Sequence, residues 1–143
     1  MSLGTEWEGI GVVRATYPVA SNVRIAYDRD YDGNSQQKGL CVHLSANGVV
    51  DTVAAGERIH GVIERVEEDP SGTNVATVAI KGIVTVKAGD NGLTVGKSIM
   101  GDTLSSAKGY ATDVDPTTLS KVAQQRGTVI DASTSTAVLV LLH

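Results

Sequence analysis

Residues 40–53 read Leu40-Cys41-Val42-His43-Leu44-Ser45-Ala46-Asn47-Gly48-Val49-Val50-Asp51-Thr52-Val53, two β-forming runs joined at Asn47-Gly48. Asn-Gly accepts the left-handed backbone of a tight hairpin turn, so the two runs should pair antiparallel. Alternation along the first run places Leu40, Val42 and Leu44 on one face and Cys41 and His43 on the other. A lone hairpin cannot bury such a face, so the flanking sequence must supply further strands.

It does so in both directions. Toward the C-terminus, residues 59–67 alternate again, Glu68-Asp69-Pro70-Ser71-Gly72 carries turn chemistry, and 75–87 reads as two strands separated at Lys81-Gly82. Toward the N-terminus, residues 12–17 and 22–27 mix β-branched, aromatic and charged residues around Pro18. Both are predicted as edge strands, because Pro18 has no N–H for a ladder. One segment, 115–126, has helical spacing through Leu119, Val122 and Ala123 behind an Asp-Pro start. The last strand, 137–142, is apolar on both faces and should be central or covered by a neighbouring subunit.

The second half repeats the order of the first. Gly96, Gly109, Gly127 and Ala137 follow Gly39, Gly48, Gly61 and Val75 at offsets of 57, 61, 66 and 62 residues, differences that loops can absorb. A duplicated β unit and chance recurrence of Gly-Val pairs both account for this. The predicted fold is all-β: a small antiparallel β-barrel or β-sandwich with at most one short helix, for which two related β units are one of the two readings of the repeated order. Residues 1–38 form an N-terminal arm with edge strands, and 39–143 form the barrel or sandwich domain.

Composition limits the function. A chain of 143 residues can bury a core without staples, and its single cysteine, Cys41, cannot form an internal disulfide. Twelve basic against sixteen acidic side chains, with no block of either sign, argue against nucleic acid as a partner. Residues 1–8 carry two acids and no apolar stretch, and 137–142 is too short to span a bilayer, so neither export nor membrane insertion is expected.

Catalytic and metal motifs are weak. Cys41 and His43 lie two apart on one strand, roughly 6 to 7 Å, too far for direct proton transfer. His43, His60 and His143 lack zinc-site spacing, no GxSxG elbow frames a serine, and Gly9-Ile10-Gly11 leads into a strand. No enzyme activity and no cofactor are expected. Asp28-Arg29-Asp30-Tyr31-Asp32-Gly33-Asn34 resembles the first half of a calcium loop, with Asp28, Asp30, Asp32 and Asn34 as weak metal candidates. The twelfth position is Gly39 rather than glutamate, and Arg29 and Lys38 offset the acids, so a solvated acidic loop is the favoured reading. Trp7, Tyr17, Tyr27 and Tyr31 crowd the first quarter among arginines, the composition of an interface, although Trp7 could equally cap a barrel mouth.

From Gly39 onward the order of elements resembles the capsid decoration, or cement, proteins of tailed bacteriophages. The resembling stretches are Gly56-Glu57-Arg58-Ile59-His60-Gly61-Val62-Ile63, Val75-Ala76-Thr77-Val78-Ala79-Ile80-Lys81-Gly82-Ile83-Val84-Thr85-Val86, Leu93-Thr94-Val95-Gly96-Lys97-Ser98-Ile99, Lys108-Gly109-Tyr110-Ala111, Gly127-Thr128-Val129-Ile130 and Ala137-Val138-Leu139-Val140-Leu141-Leu142. They cover about two thirds of the chain, and residues 1–38 do not follow the pattern. The resemblance implies a structural virion protein, made in the host cytoplasm, that sits on the capsid exterior as a homotrimer with the major capsid protein as partner. Trp7, Arg14, Tyr17 and Arg24 are then the capsid-contact candidates. A carbohydrate-binding module and a calcium-dependent adhesion module are the alternatives.

Overall fold

The computed structural model describes residues 9–27, 37–89, 92–102, 109–114, 117–133 and 138–143. Among the described residues, nine strands and one short helix follow in the order β1 (Val13–Pro18), β2 (Cys41–Ala46), β3 (Val49–Thr52), β4 (Gly61–Glu68), β5 (Asn74–Val86), β6 (Ile99–Gly101), β7 (Ala111–Asp113), α1 (Leu119–Ala123), β8 (Thr128–Asp131) and β9 (Val138–Leu142). The fold is all-β, as predicted. No helix among the described residues is long and apolar enough to cross a membrane.

Seven strands form one sheet in which β3-β2-β4-β5-β9-β8 are neighbours and β1 also pairs with β5, while β6 and β7 form a small second sheet. Bridges outside the named strands curl these into two rings. In the first, β1, β5, β4, β2 and β3 are antiparallel neighbours in turn. A parallel bridge from Val19 to Val50 returns β3 to β1, with Ala20 N–H donating to Val50 O at 2.9 Å. In the second, the end of β5 pairs with β9 and β9 with β8. Val129 N–H then donates to Lys97 O at 2.9 Å, and β6 pairs with β7. A parallel bridge from Ala88 to Ala111 closes that ring.

The two rings match pair for pair. Val42, His43 and Leu44 oppose Thr52, Asp51 and Val50 in the first; Ile99, Met100 and Gly101 oppose Asp113, Thr112 and Ala111 in the second. The β4–β5 register slips between Ile63 and Arg65, and the β8–β9 register slips at the equivalent step between Val129 and Asp131. Gly39 N–H donates to Ile63 O and Gly96 N–H to Val129 O, both at 2.9 Å. These equivalences reproduce the offsets read from the glycines, so the recurring pattern marks one five-stranded unit built twice, with β5 serving both copies.

Each ring is filled by its inward aliphatics. Val42, Val50, Ile63, Ala76 and Val78 pack with Val19, Ile25, Leu40 and Val66 in the first. Val84, Val86, Ile99, Ala111, Val129, Val138, Val140 and Leu142 fill the second, and Cys41, Val53, Ile59, Val62 and Ala79 reach it from the outer wall of the first. Each fully buried Val or Ile contributes roughly 1.5 to 3 kcal/mol. The residues of the second ring equivalent to that outer wall are Ser98, Val114, Gln125, Thr128 and Leu141. All but Val114 retain solvent exposure.

Several expectations are corrected. β5 is one 13-residue strand rather than two. Gly82 stays in it with φ of 106°, and a Cβ there would lie 2.6 Å from the backbone of Gly11 and Val12, so only glycine admits the N-terminal segment. Residues 22–27 form a turn instead of a strand, because Ser21 Oγ accepts from Val23 and Arg24 N–H at 3.2 Å. Asn22 and Asn74 lock that turn down: Asn74 N–H donates to Asn22 Oδ1 at 2.9 Å and Asn74 Nδ2 to Ile25 O at 3.0 Å. Leu40, Cys41 and Val42 are all buried and Leu44 is exposed, because β2 starts between the two cores and ends at the surface. The helix is capped by Thr118, whose side chain accepts from Lys121 N–H, and none of its residues is buried. The terminal strand is central, between β5 and β8, as its two apolar faces require.

Candidate functional site

Three short segments enclose an open polar cleft of about 510 Å³ beside the first ring: the outer end of β2 with His43, Leu44 and Ser45, the turn carrying Ala55, Gly56, Glu57 and Arg58, and Gln124 just after α1. The turn is pinned to the second ring, since Gly56 N–H donates to Gly101 O at 3.1 Å and Gly101 N–H to Glu57 O at 2.9 Å. A Cβ on Gly101 would sit 2.1 Å from Ala54 O, so glycine is what lets β6 approach the turn. The far wall is fixed by Gln124 N–H donating to Lys121 O at 3.1 Å.

Within the cleft, Glu57 is held by two donors, His43 Nδ1–H and Ala54 N–H, the latter at 3.0 Å. The carboxylate therefore fixes the imidazole, leaving Nε2 without a partner among the described residues. Behind His43, Asp51 lies opposite it in the β2–β3 ladder and takes a two-pronged contact from Arg24, Nε to Oδ1 at 2.8 Å and Nη2 to Oδ2 at 2.7 Å. Partial burial pushes the Asp51 carboxyl up, but the Arg24 hydrogen bond, the Thr52 amide and the Arg24 and His43 charges outweigh it, so its pKa is lowered. Ser45 Oγ donates to Val49 O at 3.4 Å.

Arg58 forms the opposite side. Its Nε donates to Gln125 O at 3.4 Å, and the side chain is exposed. Behind it, half-buried Arg126 donates to three backbone oxygens, those of His143, Ile80 and His60. Burial lowers the Arg126 pKa and the Arg58 charge lowers it further. His60 is lowered first by burial, then by Arg126, Arg58 and His43. Among the described residues no side-chain carboxylate pairs with Arg58, Arg126 or His60. Arg58 and Arg126 therefore bring two neighbouring positive charges to this side of the cleft, across from the Glu57 carboxylate.

The predicted candidates fall elsewhere. Arg14 projects from β1 and pairs across β5 with Glu64 of β4. Tyr17 turns inward, its hydroxyl 3.0 Å from His60 Nε2 with the rings edge to face. Arg24 is engaged with Asp51, so these three side chains are tied to three different partners. Trp7, Asp28, Asp30, Asp32 and Asn34 lie outside the described residues. Cys41 is fully buried with its thiol pKa pushed up to about 12, and its Sγ faces Gly39 O, away from any base. His43, His60 and His143 engage Glu57, Tyr17 and Thr128 respectively and do not converge. The cleft carries no sequence signature, because its walls come from residues 43–45, 55–58 and 124 and meet only through ring closure.

Comparison of the chain with protein-family models, with curated proteins and with solved structures finds no match.

Proposed function

We propose that this chain is a structural virion protein that binds the outside of a mature phage capsid as a homotrimer and stabilises the shell. The reading starts from the resemblance of residues 39–143 to cement proteins. The observation that carries it is the distribution of apolar side chains: both rings are packed with aliphatics, while Val23 at 89% exposure, Leu119 at 88% and Val95 at 60% stand out from separate turns and the short helix. Binding by such a molecule takes place on its outer surface, through apolar contacts presented on rigid elements.

The physical action follows from linkage. A protein that binds the assembled shell better than its separated subunits adds its differential affinity to shell stability. In a trimer, the second and third contacts form at high effective concentration once the first is made, so each can be small. The acidic pI of about 5.2 leaves the shell, rather than the packaged nucleic acid, as the favourable counterpart.

Co-sedimentation with undecorated heads tests this, alongside the protein's mass in solution. Saturable binding that Leu119→Glu and Val23→Glu weaken without lowering thermal stability is the expected result. A folded wild-type protein that stays in the supernatant at micromolar concentration would overturn the assignment.

A further inference from the structure

The cleft between β2, the 55–58 turn and Gln124 has a chemistry the outer apolar contacts do not use. We propose that it is a carboxylate-binding site, in which Arg58 receives a single acidic side chain from a partner protein's surface. Among the described residues the Arg58 guanidinium is anchored only through Nε, to Gln125 O, which leaves both terminal nitrogens to make a two-pronged contact. Gln124 and Ser45 line the same space as neutral hydrogen-bonding groups, with the His43 imidazole beside them. Arg126 behind Arg58 adds positive potential, while its own donors are directed at the backbone oxygens of His143, His60 and Ile80.

The lining also selects among anions. Glu57 shares the cleft, and although His43 and Ala54 hold it, its charge opposes a dianion more than a monoanion. A planar carboxylate matches one planar guanidinium, whereas a phosphate calls for several converging cations. Incoming negative charge relieves the mutual repulsion of Arg58 and Arg126, a gain that exists only on binding. A capsid surface is one source of such a carboxylate, but the cleft's chemistry does not depend on that reading.

Amide NMR shifts of the full chain, at constant ionic strength in chloride, provide the test. Titration with blocked aspartate should shift the amides of Ser45, Gly56, Arg58 and Gln125 saturably, with a midpoint on the order of 100 mM. Blocked asparagine should not. Arg58→Gln, an exposed change that leaves the fold intact, should weaken the response about tenfold, while Arg65→Gln, which removes the same charge from β4, should leave it unaltered. Equal responses to aspartate and asparagine, an unchanged titration in Arg58→Gln, or tighter binding of inorganic phosphate than of aspartate would each overturn the assignment.

Discussion

Replacing Gly82 by alanine probes the strand that both rings share. The residue has φ of 106°, and its added Cβ would stand 2.6 Å from the Gly11 carbonyl and the Val12 Cα, about 1 Å inside van der Waals contact. Holding alanine in that backbone region costs roughly 1 to 2 kcal/mol. Neither partner is a flexible side chain, so the N-terminal segment must move away. That breaks the hydrogen bonds from Gly9 N to Ile83 O at 2.8 Å and from Ile83 N to Ile10 O at 3.0 Å, about 1 kcal/mol each. The total is roughly 3 to 4 kcal/mol. Gly72→Ala is the control, because Gly72 has φ of 89° but nothing within 4 Å of an added Cβ, leaving the backbone strain alone. With a urea slope of roughly 2 kcal/mol per molar, the two midpoints should differ by about 1 M. Gly82→Ala unfolding within about 0.5 kcal/mol of Gly72→Ala would refute the close approach as the reason for glycine.

Cys41 should resist iodoacetamide at pH 8 in the native protein and react at a model thiol's rate once urea unfolds it; fast native labelling would contradict the burial that raises its pKa to about 12. Asp51 titrates lower folded than unfolded, so its contribution is present above the usual carboxylate range near pH 4 and is lost as pH falls through the folded value. Asp51→Asn should therefore flatten the acid limb of the stability curve, and a parallel pair of curves would count against the Arg24 pairing. His60 is also lowered, which for a histidine means that the unfolded chain takes up the proton first. Stability should be full above about pH 6.5 and decline below it; His60→Gln should remove that decline, as read from urea midpoints at pH 7.5 and 5.5.

What the sequence disclosed was local or periodic. Asn47-Gly48 announced its hairpin because two residues set the turn, and Gly48 indeed has φ of 67°. The duplication showed through glycines because the steps where strands cross closely, such as Gly61 against Val78 and Gly127 against Leu141, exclude a Cβ in both rings. The errors arose where a distant element decides. Lys81-Gly82 looked like a turn since the backbone that passes over it comes from residues 11 and 12. Leu40 and Cys41 looked like opposite faces of a half-buried strand, yet a core lies on each side. The cleft was illegible for the same reason: Glu57 and His43 are fourteen positions apart, and Gln124 belongs to the other ring.

The outer wall of the first ring is a greasy seat, occupied by the second. Its counterpart on the second ring offers Ser98, Gln125 and Thr128 where the first offers Cys41, Ile59 and Val62. A third unit arriving by the same geometry would have to strip water from polar groups that gain no partner in return. Architecture that recurs inside the chain is thus prevented from recurring between chains, and restoring aliphatics at those three positions is where open-ended, head-to-tail growth would begin.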